Sequence, residues 1–91
     1  VKAETAASGT LSLDYLKGEI QNYTMSSDLS IDLDGVSNVP FGEALICNIR
    51  RTGGTLTVSN GTSNQTYMEN KTYMVVITNF GTPQIAVTET I

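Results

Sequence analysis

Histidine is absent from this sequence, and with it the usual general base and the commonest transition-metal ligand. A metal site would have to be built from oxygens. Cys47 stands alone, so no internal disulfide can form, and tryptophan is missing as well. The basic residues are five, Lys2, Lys17, Arg50, Arg51 and Lys71, and the net charge is -4. Nucleic-acid binding needs a clustered basic face to neutralise phosphates, and the adjacent Arg50 and Arg51 are too few to make one. No apolar run approaches the roughly 20 residues of a membrane-spanning helix, and the opening "VKAETAASG" has no apolar core of the kind a signal peptide carries. Neither nucleic acid nor membrane is therefore expected as a partner. The chain begins with Val1 rather than methionine, as expected of a processed product or a piece of a longer protein.

A chain of 91 residues has room for one domain with a modest core, which is marginal alone unless oligomerisation helps. Its pattern has period two almost everywhere. "TLSLD" alternates Leu11 and Leu13 with polar residues, "DLSIDLD" alternates Leu29, Ile31 and Leu33, and "TLTVS" alternates Leu56 and Val58. These read as half-buried strands with one wet face. The turn "SSD" predicts a hairpin of "EIQNYTM" with "LSIDLD"; "RTGG" predicts a second, of "ALICNIR" with "TLTV"; "GTP" predicts a third, of "KTYMVVITNF" with "QIAVTET". No segment sustains a helical period. The expected fold is all-β, an antiparallel β-sandwich or jelly-roll-like domain of about seven strands, with residues 1–9 as a leader or linker and 10–91 as the single domain.

The stretch "NYTMSSDLSIDLDG" sets Asp28, Asp32 and Asp34 close together ahead of Gly35. As a calcium loop it offers oxygens at alternate positions before a glycine, but Phe41 stands where the bidentate glutamate should be. Alternation along a strand already puts all three carboxylates opposite Leu29, Ile31 and Leu33, on a solvated face. No member of the group carries a signal of desolvation in a cleft, which acid–base work would need. No metal, cofactor or catalytic residue is expected. Cys47 shares its facing with Leu45 and Ile49 and reads as a buried small hydrophobe. Arg50 and Arg51 read as hairpin surface. The sequons starting at Asn22, Asn60, Asn64 and Asn70 are what chance gives in a chain rich in Ser, Thr and Asn. Tyr15, Tyr23, Tyr67 and Tyr73 have the spacing of ordinary strand aromatics.

Two strands are apolar on both faces. Residues 44–49 set Ala44 and Ile46 against Leu45, Cys47 and Ile49, and residues 73–80 set Tyr73, Val75 and Ile77 against Met74, Val76 and Phe80. In so small a domain the second face needs cover, and a neighbouring copy is the simplest source. Ala44, Ile46, Met74, Val76 and Phe80 are accordingly the expected oligomer interface.

The segments "SGTLSLDYLKGEIQNYTMSSDLSIDLDGVSN", "FGEALICNIRRTGGTLTVS" and "MENKTYMVVITNFG", in that order, resemble the small β-domains of tail-fibre, tail-spike and head-fibre proteins of tailed bacteriophages. Residues 9–14, 23–33, 42–54 and 70–77 occupy the places of that family's strands and turns. Glu69 and Asn70 stand where a small residue and a glycine would precede "KTY", and the tryptophan that often follows the second hairpin is missing. The resemblance implies a non-enzymatic, homotrimeric domain located in the virion, in contact with other virion proteins. It places host contact, with a surface glycan or protein, in the loops "GVSNVPFG" and "NGTSNQTYMEN" through Phe41, Asn64 and Tyr67. The competing expectation is a secreted or cell-surface bacterial β-sandwich module that binds carbohydrate or acts as an adhesin.

Overall fold

The computed structural model describes residues 5–90 and is built almost wholly of strands. In chain order these are β1 (Thr5–Ala6), β2 (Gly9–Asp14), β3 (Ile20–Met25), β4 (Leu29–Ser37), β5 (Ala44–Arg51), β6 (Leu56–Ser59), β7 (Asn64–Tyr67), β8 (Thr72–Asn79) and β9 (Pro83–Thr90), with one turn of 3-10 helix at Tyr15–Lys17. One sheet runs β1-β3-β5-β8-β9 and the other β2-β4-β6-β7. The two share one core, made of Leu13, Leu29, Ile31, Leu56 and Val58 from the four-stranded sheet and Met25, Leu45, Cys47, Ile49, Tyr73, Val75 and Ile77 from the five-stranded one.

The all-β expectation and the inward facing of these residues hold, but two of the three expected hairpins do not form. β3 and β4 lie in different sheets, as do β5 and β6. The turns at residues 26–28 and 52–55 therefore carry the chain across the core from one sheet to the other. β3 then pairs with β5 in parallel, and β4 pairs with β6 in parallel. β1 joins β3 and β2 joins β4 in the same sense, so residues 5–59 wind as a two-sided parallel roll. Parallel neighbours require a long crossover, and here the strand in the opposite sheet supplies it. Only β6–β7, β5–β8 and β8–β9 are antiparallel, and of the expected hairpins only the last exists. The architecture is thus two mixed sheets of nine strands among the described residues, in place of an antiparallel arrangement of about seven. Of the segment expected as leader, residues 5 and 6 form β1 and Gly9 opens β2; residues 1–4 lie outside the described residues.

What holds the roll in register is a ladder between its turns. The Ala7 N–H donates to Thr24 O at 3.0 Å and Gly9 N–H to Asp28 O at 2.9 Å, tying the first crossing to the second. Thr52 N–H donates to Met25 O at 2.8 Å and Leu29 N–H to Thr55 O at 3.0 Å, tying the second to the third. The Asp28 carboxylate joins in by accepting from Thr55 N–H at 2.9 Å. Backbone groups that leave their sheets at each crossing are thereby paired rather than stranded. Turns stacked this closely leave no room for side chains. A Cβ on Gly53 would lie 2.8 Å from Ser26 O, and one on Gly54, whose φ is +79°, would lie 2.5 Å from Asp28 N.

Gly61 also has a positive φ, +94°, but a Cβ there meets nothing within 4 Å. Gly61→Ala is therefore expected to cost about 1 kcal/mol through backbone strain alone. Gly54→Ala adds a collision with the backbone of the turn beneath and is expected to cost at least about 3 kcal/mol. Urea unfolding of the two variants checks this, and equal losses would contradict the stacked-turn account.

Candidate binding surfaces

β4 breaks its alternation where the acidic residues lie. Leu11 pairs with Ile31 but Leu13 pairs with Val36, so residues 32–35 bulge from the ladder. Asp32 Oδ1 accepts from Asp34 N–H at 3.0 Å, closing the bulge as a local turn. Asp28 belongs to the stacked turns described above. The three carboxylates thus have separate structural positions, and among the described residues no group of three or more His, Cys, Asp or Glu side chains is placed to hold a metal ion. Cys47 is fully buried, and burial pushes its thiol pKa up to about 12. Arg51 is bound into the fold: its Nε donates to Gly54 O at 2.6 Å and its Nη1 to Asn70 Oδ1 at 2.5 Å.

Two surfaces stand out. The first is the outer face of the five-stranded sheet. Register places Ile20 beside Ile46, Ile46 beside Val76, and Val76 beside Ala86, a continuous apolar row across four strands. Ala44 and Met74 lie on the same face in the flanking rows. Farther along it turns polar, where Asn48 Nδ2 donates to Asn22 Oδ1 at 2.9 Å and Arg50 lies between Thr24 and Thr72. Ala44, Ile46, Met74 and Val76 are therefore neighbours on one outward face. Phe80 is not among them: β8 ends at Asn79, and Phe80 stands in the following turn.

The second surface is the loop end reached by Phe80. Its ring meets that of Phe41 edge to face, with centroids 6.3 Å apart and planes at 78°. Asn79 ties the two loops together. Its carbonyl accepts from Gly42 N–H at 2.7 Å, its N–H donates to Glu43 O at 3.2 Å, and its Nδ2 donates to Val39 O at 2.8 Å. Asn38, at a φ of 66°, donates from Nδ2 to Asp14 Oδ1 at 2.9 Å. Two clefts share Leu33 and Pro83. One, of about 180 Å³, includes Asn38, Val39 and Asn79; the other, of about 300 Å³, includes Asn60, Thr62 and Gln84.

Of the residues expected to meet a host, Phe41 is exposed at this end and Asn64 is exposed at the start of β7. Tyr67 is half-buried and packed on Tyr73, with ring centroids 5.0 Å apart, so most of its ring serves the core. The Phe41–Phe80 pairing and the central position of Asn79 are new at the structural level. A signal existed in the sequence: both phenylalanines abut glycine and Phe41 also follows proline, residues that mark turns, and turns run over the surface. Gln21 carries no such signal in the sequence. It is buried, donates from Nε2 to Asp14 O and Gly18 O at 2.8 and 3.0 Å, and accepts from Tyr23 OH at 2.6 Å.

Comparison with protein-family models, with curated proteins and with solved structures finds no match for the chain.

Asp14 couples the loop end to pH. The bond from Asn38, then that from Leu16 N–H, holds its carboxyl below the usual carboxylate range. A depressed folded-state pKa contributes stability above the unfolded value and loses it as pH falls through the folded one. Asp14→Asn is therefore expected to lower the melting temperature above about pH 4, with the gap to the parent protein closing on further acidification. A gap independent of pH would contradict this role.

Proposed function

We propose that this protein is a non-catalytic structural or receptor-binding domain of a bacteriophage virion fibre, of tail or head, assembling with copies of itself and with other virion proteins. The observation that carries the reading is the apolar row Ile20, Ile46, Val76 and Ala86 on the outer face of the five-stranded sheet. Sheets with parallel strands are ordinarily covered on both faces, and here one face lies on the core while the other offers branched aliphatic side chains to solvent. A second copy supplies that cover most simply, and a threefold arrangement suits a fibre. The order of strands and turns that resembles phage fibre domains supports the same reading. The side chains described give catalysis no positive support: Cys47 is buried with its pKa raised, the Asp28 carboxylate serves a turn and that of Asp32 a bulge.

Sedimentation at about tens of micromolar, where obligate assemblies persist, is expected to give a trimer mass. Ile46→Asp puts an unpaired charge in the contact and is expected to lower both the mass and the melting temperature. A monomeric parent protein would remove the assembly reading. Antibodies against the domain are expected to label intact virions; labelling of uninfected cell envelopes instead would favour a bacterial surface module.

A further inference from the structure

Asn60 is the one asparagine of the chain that a glycine follows. It lies in the exposed loop of residues 60–63 that joins β6 to β7, and its side-chain oxygen is the hub of that loop. Oδ1 accepts from Thr62 N–H at 2.9 Å, from the Thr62 hydroxyl at 2.8 Å and from Ser63 N–H at 2.9 Å. All three bonds fall on the oxygen and none on Nδ2. Gly61 N–H donates to Ser59 Oγ at 3.2 Å. With a φ of +94° and no Cβ, Gly61 sets no side chain of its own beside that nitrogen.

We propose that Asn60 is a deamidation site whose conversion the folded loop promotes. Gly61 N gives its proton to solvent base, a proton on which Ser59 Oγ already draws, and forms a bond to Asn60 Cγ. Negative charge develops on Oδ1, where three donors stand in place before the reaction begins. Donors fixed on an acyl oxygen in this way are what stabilises the tetrahedral intermediate of acyl transfer. The Cγ–Nδ2 bond then breaks, the nitrogen takes a proton from water and leaves as ammonia, and a five-membered imide remains. Water adds to one of the two imide carbonyls. Opening at Cγ gives aspartate, and opening at the backbone carbonyl gives isoaspartate, in which the main chain runs through the former side chain. The balance is amide and water in, carboxylic acid and ammonia out, with no change of oxidation state.

The two products differ in what they do to the fold. Aspartate still offers an oxygen to the Thr62 and Ser63 donors and adds one negative charge to the loop. Isoaspartate inserts an extra carbon into the main chain of a hairpin held by Ser59 opposite Asn64 and Val58 opposite Gln65, and closed by Asn60 N–H donating to Ser63 O at 3.2 Å. β7 is an edge strand, so nothing on its far side holds it when that register is disturbed. Asn64, exposed at its start, moves with it.

The test is peptide mapping by mass spectrometry of the folded protein during incubation in mildly alkaline buffer, reading replacement of amide NH2 by OH at every asparagine. Asn60 is expected to convert about tenfold or more faster than any of Asn22, Asn38, Asn48, Asn64, Asn70 and Asn79, with both products present, and faster in the folded protein than in the same chain unfolded in guanidinium chloride. Thr62→Val keeps the Asn-Gly pair and the backbone donors but removes one hydroxyl from Oδ1. It is expected to slow conversion about threefold in the folded protein, the effect of one neutral hydrogen bond, and to leave the unfolded rate unchanged. Bonds that merely pin a side chain would hold it away from the nucleophile. Conversion at Asn60 slower in the folded than in the unfolded chain, or a folded rate indifferent to Thr62→Val, would overturn the proposal.

Discussion

The stacking of the turn at residues 52–55 on the turn at residues 26–28 is the contact on which the rest of the molecule depends. A chain that leaves one sheet at residue 25 can either fold back beside itself or cross the core. Crossing strands the peptide groups of the turn unless another turn lies against them. Thr52, Thr55 and Asp28 provide the pairing, and Gly53 and Gly54 allow the approach. Once that crossing is fixed, β3 and β5 must run parallel, as must β4 and β6, and the apolar residues of each alternating strand face inward from opposite sides.

This winding also determines what is left outside. A roll of parallel coils stops growing where an antiparallel strand closes it, and β7, β8 and β9 do so at one end. β8, held between β5 and β9, takes Tyr73, Val75 and Ile77 into the core, with the Tyr73 hydroxyl donating to Glu69 O at 3.1 Å. Of its alternate residues on the opposite face, Val76 then falls beside Ile46 and Met74 beside Asn48. The return from β8 to β9 brings Phe80 against Phe41, which the loop before β5 carries. One side of the sheet and one end of it thus acquire apolar character from the same two strands.

Period-two patterning reads the same for a hairpin and for a crossing turn, because in both the apolar residues of consecutive strands face one core. That is why the strand segments, the inward facing of Leu45, Cys47 and Ile49, and the outward facing of Ala44, Ile46, Met74 and Val76 were legible, whereas the partner of each strand was not. "SSD" and "RTGG" have the composition of tight turns either way; what makes them crossings is the pairing of Asp28 with Thr55, two residues far apart in sequence. Residues 32–35 looked like a continuation of a strand, since their bulge depends on where Leu13 falls opposite Val36. Phe80 was misplaced for a related reason: alternation carried it onto the Met74 face, and only the end of β8 at Asn79 releases it into the turn. The aromatic corner is a long-range contact, and no local pattern encodes its partner.

The parallel winding is tested most directly by proton NMR contacts between strands. Antiparallel neighbours bring α-protons of non-hydrogen-bonded pairs into close contact, whereas parallel neighbours keep them apart and show amide-to-α contacts instead. The structure predicts amide-to-α contacts linking Tyr23 with Ile49 and its neighbours, and Ile31 with Val58 and its neighbours, with close α–α contacts confined to β5–β8, β8–β9 and β6–β7. Strong α–α contacts between residues 20–25 and 29–34 would mean that the chain folds back as a hairpin, and would contradict the account.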